Sequence, residues 1–573
     1  MCGIAGIITN QTTIELQHQL KAMLEVTKHR GPDASESWMD SRCCLGHNRL
    51  SIIDLHSTAN QPMLSNCGRY VIVFNGEIYN YLELKEALKF EYTFKTQSDT
   101  EVLLAAFIKY GTNVAEKLNG MFAFLIWDKE AKKVFACRDR FGVKPFYYTI
   151  YNGNFYFASE IKAFFAAGIP KKENWKVWAN YLVYGSYGMP NETFWDKIEQ
   201  LPSGHILELE VAEGRTLSSK DLKITQWYDF VSRVNAIEPM EESVLKSNYL
   251  ELLNDSISLR FRADVKIGFN ISGGLDSSVL LALVNKQFPD NKTIEAFTFY
   301  SDNKAYDELP WVEQMIAITG NPLNKCLLKA EDIDSLIKDV SYYQDEPFGG
   351  FPTLAYSLIF KEARRKNITV LLDGQGMDEA WAGYDYYHTN SGFTVQGTTT
   401  SPVRPEVLTP EFVQLAEKDR YQQPFSDPLK NLQYRDIFYT KIPRALRFND
   451  RISMMHSTEL REPFLDYRLV ELAFAQDAKV KIKDKQTKWM LRQLVKDYLG
   501  NSIALASKRP LQTPQREWIA GDLNELMSEK INAFASNPFV NKQKILKLWT
   551  DYLSGNSDNS FYVWQWVNAN EMI

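Results

Sequence analysis

Hydrophobic and polar positions follow two different rhythms along the chain. In the first part, short runs rich in aromatic and β-branched residues alternate with turn residues, as in "YVIVFNGEIYN" (70–80). Asn-Gly pairs, which are typical of tight turns, occur in these runs at 75–76 and 152–153. A helical spacing of apolar residues appears between the runs in "TEVLLAAFIKYG" (100–111). This pattern predicts a layered α+β domain.

Beyond about residue 245 the pattern changes to long helical segments and single buried strands. "VKIGFNISGGLDSSVLLALVNKQF" (265–288) reads as a strand, a glycine turn and a helix. Strands that alternate with helices are typical of a doubly wound, mostly parallel sheet. We therefore predict one domain over 2–200, a polar linker over 201–240 and a second domain over 241–573. Residues 391–440, rich in Thr, Pro and Gln, are predicted to form a loop-rich insertion without chemistry.

Composition and charge narrow the class of protein. The 573 residues carry a formal net charge of −6, so no broad basic field indicates nucleic-acid binding. The six cysteines show neither CxxC spacing nor the density of a disulfide framework. No apolar run approaches the roughly 18 residues of a membrane span, and no secretory signal is visible. These features predict a cytoplasmic protein with small-molecule partners, no nucleic-acid partner and no membrane partner; a homodimer is left open.

The chain starts with "MCGIAG". Removal of Met1 would leave Cys2 with both a thiol and a free α-amine, and such an amine can accept a proton near neutral pH. This is the arrangement of N-terminal nucleophiles, in which the thiol has its own general base. The alternative is a buried, inert cysteine, which is the commoner state of a free thiol.

A second candidate site lies between the predicted strand and helix of the second domain. "SGGLDSS" (272–278) has the glycines and serines of an anion-binding turn at a helix N-terminus, and it resembles the pyrophosphate loop of ATP pyrophosphatases. Asp276 within such a turn indicates a bound cation. "DGQGMDE" (373–379) ends another strand, so Asp276 and Asp378 are predicted to share one Mg²⁺ ion. The alternatives are a serine-capped glycine turn and, for Asp378, a helix-capping carboxylate.

A series of motifs resembles those of glutamine-dependent asparagine synthetases, in the same order along the chain. The resemblance covers nearly the whole chain. After "MCGIAG" these motifs are "HRGPD" (29–33), "GHNRLSIID" (46–54), "FNGEIYN" (74–80), "SDTEV" (98–102), "NGMFAF" (119–124), "RDRFGVKPFYY" (138–148), "FASEIKA" (157–163), "SGGLDSS", "SMMHSTELREPFLD" (453–466) and "KQTKWMLR" (485–492). The resemblance implies an N-terminal-nucleophile (αββα) glutaminase domain followed by an α/β doubly wound, Rossmann-like ATP-pyrophosphatase domain. It also implies that Cys2 releases ammonia from glutamine. The ammonia would cross an internal tunnel to an aspartate that has been activated by ATP.

The resemblance further implies a role for individual residues. Glutamine would be bound by Arg49, Leu50, Ile52, Ile53, Asn75, Gly76, Glu77 and Asp99, with Asn75 and Gly76 as the oxyanion hole. ATP would be bound by Asn270, Ser272, Gly274, Asp276, Ser277, Ser278, Phe299, Asp373, Gly374 and Lys488. Mg²⁺ would be held by Asp276 and Asp378. We also expect Glu459 and Arg461 to shape the acceptor pocket.

Two segments depart from the family pattern. Gln375 stands where these synthetases typically have a glutamate that is credited with catalysis, and an amide cannot take a proton from ammonium. "SKRPLQTPQREW" (507–518) is an unusual version of the region that follows the phosphate lysine. The acceptor is therefore left open between aspartate and another carboxylate, such as a sugar acid in surface-polysaccharide synthesis. A non-catalytic relative and a tRNA-modifying enzyme are further alternatives, and the intact candidate residues and the lack of a basic surface argue against them.

Overall fold

The computed structural model describes most of the chain, namely residues 2–10, 12–212, 214–288, 294–388, 401–506, 513–556 and 559–573. The first part of the chain is built on two six-stranded sheets. Its strands are β1 (Gly3–Ile8), β2 (Ala34–Met39), β3 (Cys43–Arg49), β4 (Met63–Leu64), β5 (Tyr70–Ile78), β6 (Gly120–Asp128), β7 (Lys133–Arg138), β8 (Tyr147–Tyr151), β9 (Asn154–Ala158), β10 (Glu199–Gln200), β11 (His205–Glu210) and β12 (Leu222–Gln226). Its helices are α1 (Ile14–Val26), α2 (Tyr81–Leu88), α3 (Asp99–Tyr110), α4 (Val114–Lys117), α5 (Lys162–Ala166), α6 (Trp175–Tyr184) and α7 (Phe230–Asn235).

Alternation of side chains along the strands builds three apolar layers. The sheet orders are β10-β8-β9-β1-β3-β2 and β12-β11-β7-β6-β5-β4. Ile4 and Ile8 of β1 lie in the core between the two sheets, whereas Ala5 and Ile7 point the other way and pack with α1. On the outer face of the second sheet, Ile72 packs with α3. The predicted αββα architecture is confirmed.

The range that we predicted as a linker, 201–240, supplies regular structure instead. β11 pairs with β7, and β12 pairs with β11, so both strands extend the second sheet. Leu207 and Leu209 of "HILELE" are buried in the core between the sheets. The prediction of a linker was wrong because this alternating run is short and polar residues surround it.

The second part of the chain is built on a five-stranded sheet. Its strands are β13 (Ile267–Asn270), β14 (Ala296–Ser301), β15 (Leu323–Leu328), β16 (Val370–Leu372) and β17 (Glu459–Arg461), and a separate hairpin contains β18 (Ile482–Lys483) and β19 (Gln486–Thr487). Its helices are α8 (Glu242–Arg260), α9 (Leu275–Gln287), α10 (Leu309–Thr319), α11 (Ile333–Gln344), α12 (Gly350–Arg365), α13 (Met377–Ala380), α14 (Pro410–Val413), α15 (Pro428–Arg435), α16 (Ile442–Met455), α17 (Tyr467–Ala475), α18 (Ala478–Lys481), α19 (Trp489–Ala504), α20 (Gln515–Ala520), α21 (Asn524–Phe534), α22 (Lys542–Leu553) and α23 (Phe561–Met572).

The five strands are parallel and follow the order β15-β14-β13-β16-β17. Phe269 and Leu372 pack with α8, α9 and α19 on one face, and Phe297 and Leu371 pack with α11 and α12 on the other. This confirms the doubly wound sheet. The strand order reverses between β13 and β16, and such a switch point is where open α/β sheets bind ligands.

Parts of two predicted segments lie outside the described residues. These parts are 391–400 of the predicted insertion and 507–512 of the unusual segment. The remainder of the insertion contains α14, α15 and a π-helical turn at Asp436–Thr440. Across the described ranges, none of the helices combines the length and the apolar character that a membrane crossing requires.

Candidate active sites

Cys2 lies buried just before β1, and its backbone is fixed on both sides. Its nitrogen donates to Asn75 Oδ1 at 2.9 Å, and its carbonyl oxygen accepts from Arg30 Nε at 3.0 Å. The Cys2 Sγ atom lies 3.9 Å from the carbonyl oxygen of Leu50. Burial raises the pKa of the thiol, so the thiol needs a base to become a nucleophile.

Asn75 and Gly76 lie side by side on β5 next to Cys2. Asn75 Nδ2 is buried and has no hydrogen-bond partner among the described residues. Gly76 has φ +153°, and a Cβ atom there would lie 2.0 Å from the carbonyl oxygen of Met121 on β6. Glycine is therefore required at this position, and the Asn75 amide is a donor available to a developing oxyanion.

Asp99 and Arg49 flank this site, but they differ in how much of their hydrogen-bonding capacity the protein itself uses. Asp99 begins α3 and accepts from the Ile78 nitrogen at 2.9 Å, and burial raises its pKa to about 6. Arg49 donates at 2.7 Å to both the carbonyl oxygen of His56 and Asn60 Oδ1. Arg49 thus holds the loop after β3, and a glutamine carboxylate would have to replace these acceptors.

Leu50, Ile52 and Ile53 follow Arg49 and are buried in one apolar cluster. The same cluster contains Leu465 and other residues of the second domain. These three residues therefore contribute to the domain boundary, and Leu50 also lies next to Cys2.

Glu459 and Arg461, which we expected to shape the acceptor pocket, lie instead beside Glu77 of the first domain. Arg461 ends β17, and its NH2 atom lies 3.5 Å from Glu77 Oε2, while its Nε atom donates to Glu459 Oε1 at 2.5 Å. Burial and the charge of Glu459 raise the pKa of Glu77 well above its usual range. The second domain therefore reaches into the Cys2 site, and neither Glu459 nor Arg461 lines the acceptor cavity described next.

A cavity of about 530 Å³ opens at the carboxyl ends of β13 and β16. The predicted residues on its wall are Ser272, Gly274, Asp276, Ser277, Asp373, Gly374, Gln375, Asp378 and Lys488. A Cβ atom on Gly374 would lie 3.1 Å from the Asp276 Cβ atom, so glycine lets the two loops approach each other. Three other predicted ATP-binding residues, Asn270, Ser278 and Phe299, are buried behind this wall and do not line the cavity. Their role in ATP binding stays a prediction.

Lys488 brings the two predicted metal-binding aspartates together. Its Nζ atom lies 2.6 Å from Asp276 Oδ2 and 2.7 Å from Asp378 Oδ1. Two carboxylates that share one cation are a donor set that also fits Mg²⁺. The described ranges contain no group of three or more metal-binding side chains, so phosphate oxygens and water would have to complete the coordination of that ion.

Sequence reasoning missed several polar residues of the cavity wall, among them Glu379, Lys441 and Arg444. Glu379 is fully buried, accepts from the Tyr384 hydroxyl at 2.7 Å, and has its pKa raised to about 7 by burial and by Asp378. Lys441 and Arg444 lie at the start of α16 and also line the cavity. Their i, i+3 spacing in "KIPR" was a signal that two cations share one helix face.

A second cavity, of about 20 Å³, lies between the domains. Tyr79, Asn119 and Met121 line it from the first domain. Glu462 and Leu465 line it from the second.

The fold and the two sites together define an enzyme that combines a thiol-based amidotransferase domain with a nucleotide-binding synthetase domain. The family model described as a glutamine amidotransferase domain matches residues 1–220, and the model described as asparagine synthase matches residues 248–573. Because the second model covers more than half of the chain, the chain belongs to the asparagine synthase family. It is an enzyme of the glutamine-hydrolysing carbon–nitrogen ligase class, as the sequence predicts.

Two asparagine synthetases among its relatives agree with this assignment. Asparagine synthetase [glutamine-hydrolyzing] 1 of Bacillus subtilis (strain 168) is 29% identical over 98% of this chain and 95% of that protein. A putative asparagine synthetase [glutamine-hydrolyzing] 2 of Methanocaldococcus jannaschii is 34% identical over 67% of this chain and 76% of that protein. The solved structure of glutamine phosphoribosylpyrophosphate amidotransferase from B. subtilis matches with a TM-score of 0.29 and 15% identity, covering 56% of this chain and 65% of that chain.

Proposed function

We propose that this enzyme uses ATP to transfer ammonia from glutamine to the side-chain carboxylate of aspartate, through an acyl-adenylate. The products would be asparagine, glutamate, AMP and pyrophosphate. The observation that carries the proposal is the convergence of Asp276, Asp378 and Lys488 at the switch point of the sheet, in one cavity with Gln375. The order of the motifs along the chain and the buried Cys2–Asn75 pair support the glutamine half-reaction.

In the first half-reaction, the Cys2 thiol would attack the side-chain amide carbon of glutamine. The C–N bond breaks, the thiol proton is passed to the leaving nitrogen, and ammonia and a thioester are formed. If Met1 is removed, the Cys2 nitrogen is an amine and can relay that proton. The Asn75 amide would stabilise the oxyanion, and water would then hydrolyse the thioester to glutamate.

In the second half-reaction, the Ser272–Ser277 loop would hold the ATP phosphates at the start of α9. Bound Mg²⁺ would offset phosphate charge between Asp276 and Asp378. Lys488 adds a buried cation in the same place, and the charges of Asp276 and Asp378 raise its pKa against the effect of burial, so it stays charged. The acceptor carboxylate would displace pyrophosphate from the α-phosphate, and ammonia would then displace AMP.

A second candidate is the amidation of another carboxylate, such as a sugar acid, by the same machinery. The observation that favours it is Gln375, which lines the cavity but cannot accept a proton. Gln375 can still orient ammonia or a protonated group by hydrogen bonding, so it is compatible with both acceptors.

One assay separates the two candidates. The protein is incubated with glutamine, Mg²⁺ and ATP, together with aspartate or with one of a set of uronic acids, and pyrophosphate and amide products are measured. We expect pyrophosphate and asparagine with aspartate. Pyrophosphate release with a uronic acid alone would favour the second candidate, and release with none of the acids would contradict both.

A further inference from the structure

The cavity of about 20 Å³ between the domains touches a wall of each site. Met121, which lines it, places its carbonyl oxygen against Gly76. Leu465, which lines it from the other side, packs against Gly376, the neighbour of Gln375. A volume of this size holds a single molecule of water or ammonia. The cavity therefore lies between the place where ammonia would form and the place where it would react.

Glu462 is the acidic side chain that the second domain contributes to this cavity. It is 5% exposed, and although the charges of Lys144 and Arg260 act on it, no hydrogen bond or ion pair of its carboxyl group is found within the described ranges. A buried polar group without a partner is unfavourable unless something else binds to it. The cavity is the space into which such a partner can fit.

The charge around the cavity favours a neutral partner. Burial raises the pKa of Glu462 to about 8, so the group is mostly a neutral carboxylic acid near pH 7. Arg140 and Arg260 line the same cavity, with Asp139 as the other acidic residue on its wall. Two guanidinium groups disfavour a positively charged guest such as ammonium.

We propose that Glu462 is a binding residue for ammonia on its way between the two sites. This inference rests on the proposed function, because it requires that glutamine supplies ammonia to the second domain. The carboxylic acid O–H of Glu462 donates a hydrogen bond to the nitrogen lone pair of ammonia. No covalent bond to nitrogen forms or breaks in this step, and the proton stays on Glu462 because the charges of Arg140 and Arg260 disfavour ammonium in this cavity.

The test measures coupling, defined as amide product formed per glutamine hydrolysed. Glu462→Leu removes the hydrogen bond, whereas Glu462→Gln keeps a donor of similar size. We expect coupling to fall about fivefold in Glu462→Leu, the change expected from one hydrogen bond, and to stay near the wild-type value in Glu462→Gln. Glutamine hydrolysis alone and synthesis from added ammonium chloride should stay within about twofold of wild type in both, since neither reaction needs transfer between the sites.

Glu471→Gln is the matched control. Glu471 is also 5% exposed, accepts from the Tyr228 hydroxyl at 2.8 Å, and does not line the small cavity. If Glu471→Gln lost as much coupling as Glu462→Leu, the effect would come from altered domain packing, and the inference would be overturned. Equal loss in Glu462→Gln and Glu462→Leu would overturn the hydrogen-bond role.

Two further outcomes separate this inference from the proposed function. Unchanged coupling in Glu462→Leu, with both partial reactions intact, would overturn the inference alone. Absence of product from both glutamine and ammonium chloride in the wild-type protein would instead overturn the proposed function. If Glu462→Leu does not fold, Glu462→Ala removes the same hydrogen bond without adding bulk, and the same expectations apply.

Discussion

Gln375 is the residue at which the chain departs most clearly from its family pattern. It lines the cavity of about 530 Å³ directly after Asp373 and Gly374, two of the predicted ATP-binding residues. If aspartate is the acceptor, Gln375→Glu should raise asparagine formation per ATP consumed or leave it unchanged, because it adds a proton acceptor. Gln375→Leu, which removes the polar group, should lower it. Negligible asparagine in the wild-type and Gln375→Glu proteins, with aspartate saturating, would contradict an aspartate acceptor.

If Asp99 binds glutamine as the family resemblance implies, glutamine use should be sensitive to acid. Burial raises its pKa to about 6, and only the ionised carboxylate can bind the α-ammonium group of glutamine. As the pH falls below about 6, kcat/KM for glutamine hydrolysis should therefore drop about tenfold per pH unit. Asp99→Asn should be low at every pH and should lose the step in the profile near pH 6, while any dependence that arises from the Cys2 amine at higher pH remains. The measurement is the pH profile of both proteins, and an unaltered profile in Asp99→Asn would contradict the assignment.

The pairing of β5 with β6 constrains the Cys2 site at the level of secondary structure. In Gly76→Ala the new methyl group would meet the Met121 carbonyl at 2.0 Å, so the two strands must separate. We expect a loss of about 100-fold in glutamine hydrolysis and of about 1–3 kcal/mol in the free energy of unfolding. Gly168→Ala is the matched control, because Gly168 also has a positive φ, +83°, but a methyl group added there would meet no atom of the described residues within 4 Å. Equal losses in both variants would point to backbone strain instead of the clash.

At the scale of the whole molecule, the two sites belong to different domains, and their activities should separate. Cys2→Ala should abolish glutamine-dependent synthesis but keep synthesis from ammonium chloride, because it leaves the ATP cavity intact. Asp276→Asn should block pyrophosphate release but keep glutamine hydrolysis, because it removes one anionic group from the predicted Mg²⁺ site.

Cys67→Ala is the control for thiol loss, since Cys67 is an exposed free cysteine away from the described sites. The readouts are glutamate, pyrophosphate and amide product measured in parallel. Product from glutamine at the wild-type rate in Cys2→Ala would exclude Cys2 as the nucleophile. Full turnover in Asp276→Asn would remove Asp276 from the metal site.

Features formed by residues that are close together in the sequence could be predicted from the sequence alone. Short runs rich in aromatic and β-branched residues, bounded by turn residues, predicted strands of the first domain such as β5 and β6, because these residue types favour strands. The strand–glycine–helix order around Ser272 predicted the loop at the carboxyl end of β13, because all of its residues are neighbours in the chain. Such predictions fail for short strands in polar surroundings, since β11 and β12 were predicted to be part of a linker.

Only the tertiary structure decided which distant residues meet. Lys488 is separated from Asp276 by 212 positions, yet they form an ion pair. Arg461, which we expected to help shape the acceptor pocket, instead contacts Glu77. Glu462 lines a cavity shared by both domains. Periodicity tells which face of a strand or helix is buried, but it does not tell against which element that face packs. That choice depends on how all the layers fit together, so the sequence by itself determined the parts of each site and the packing of the domains determined their contacts.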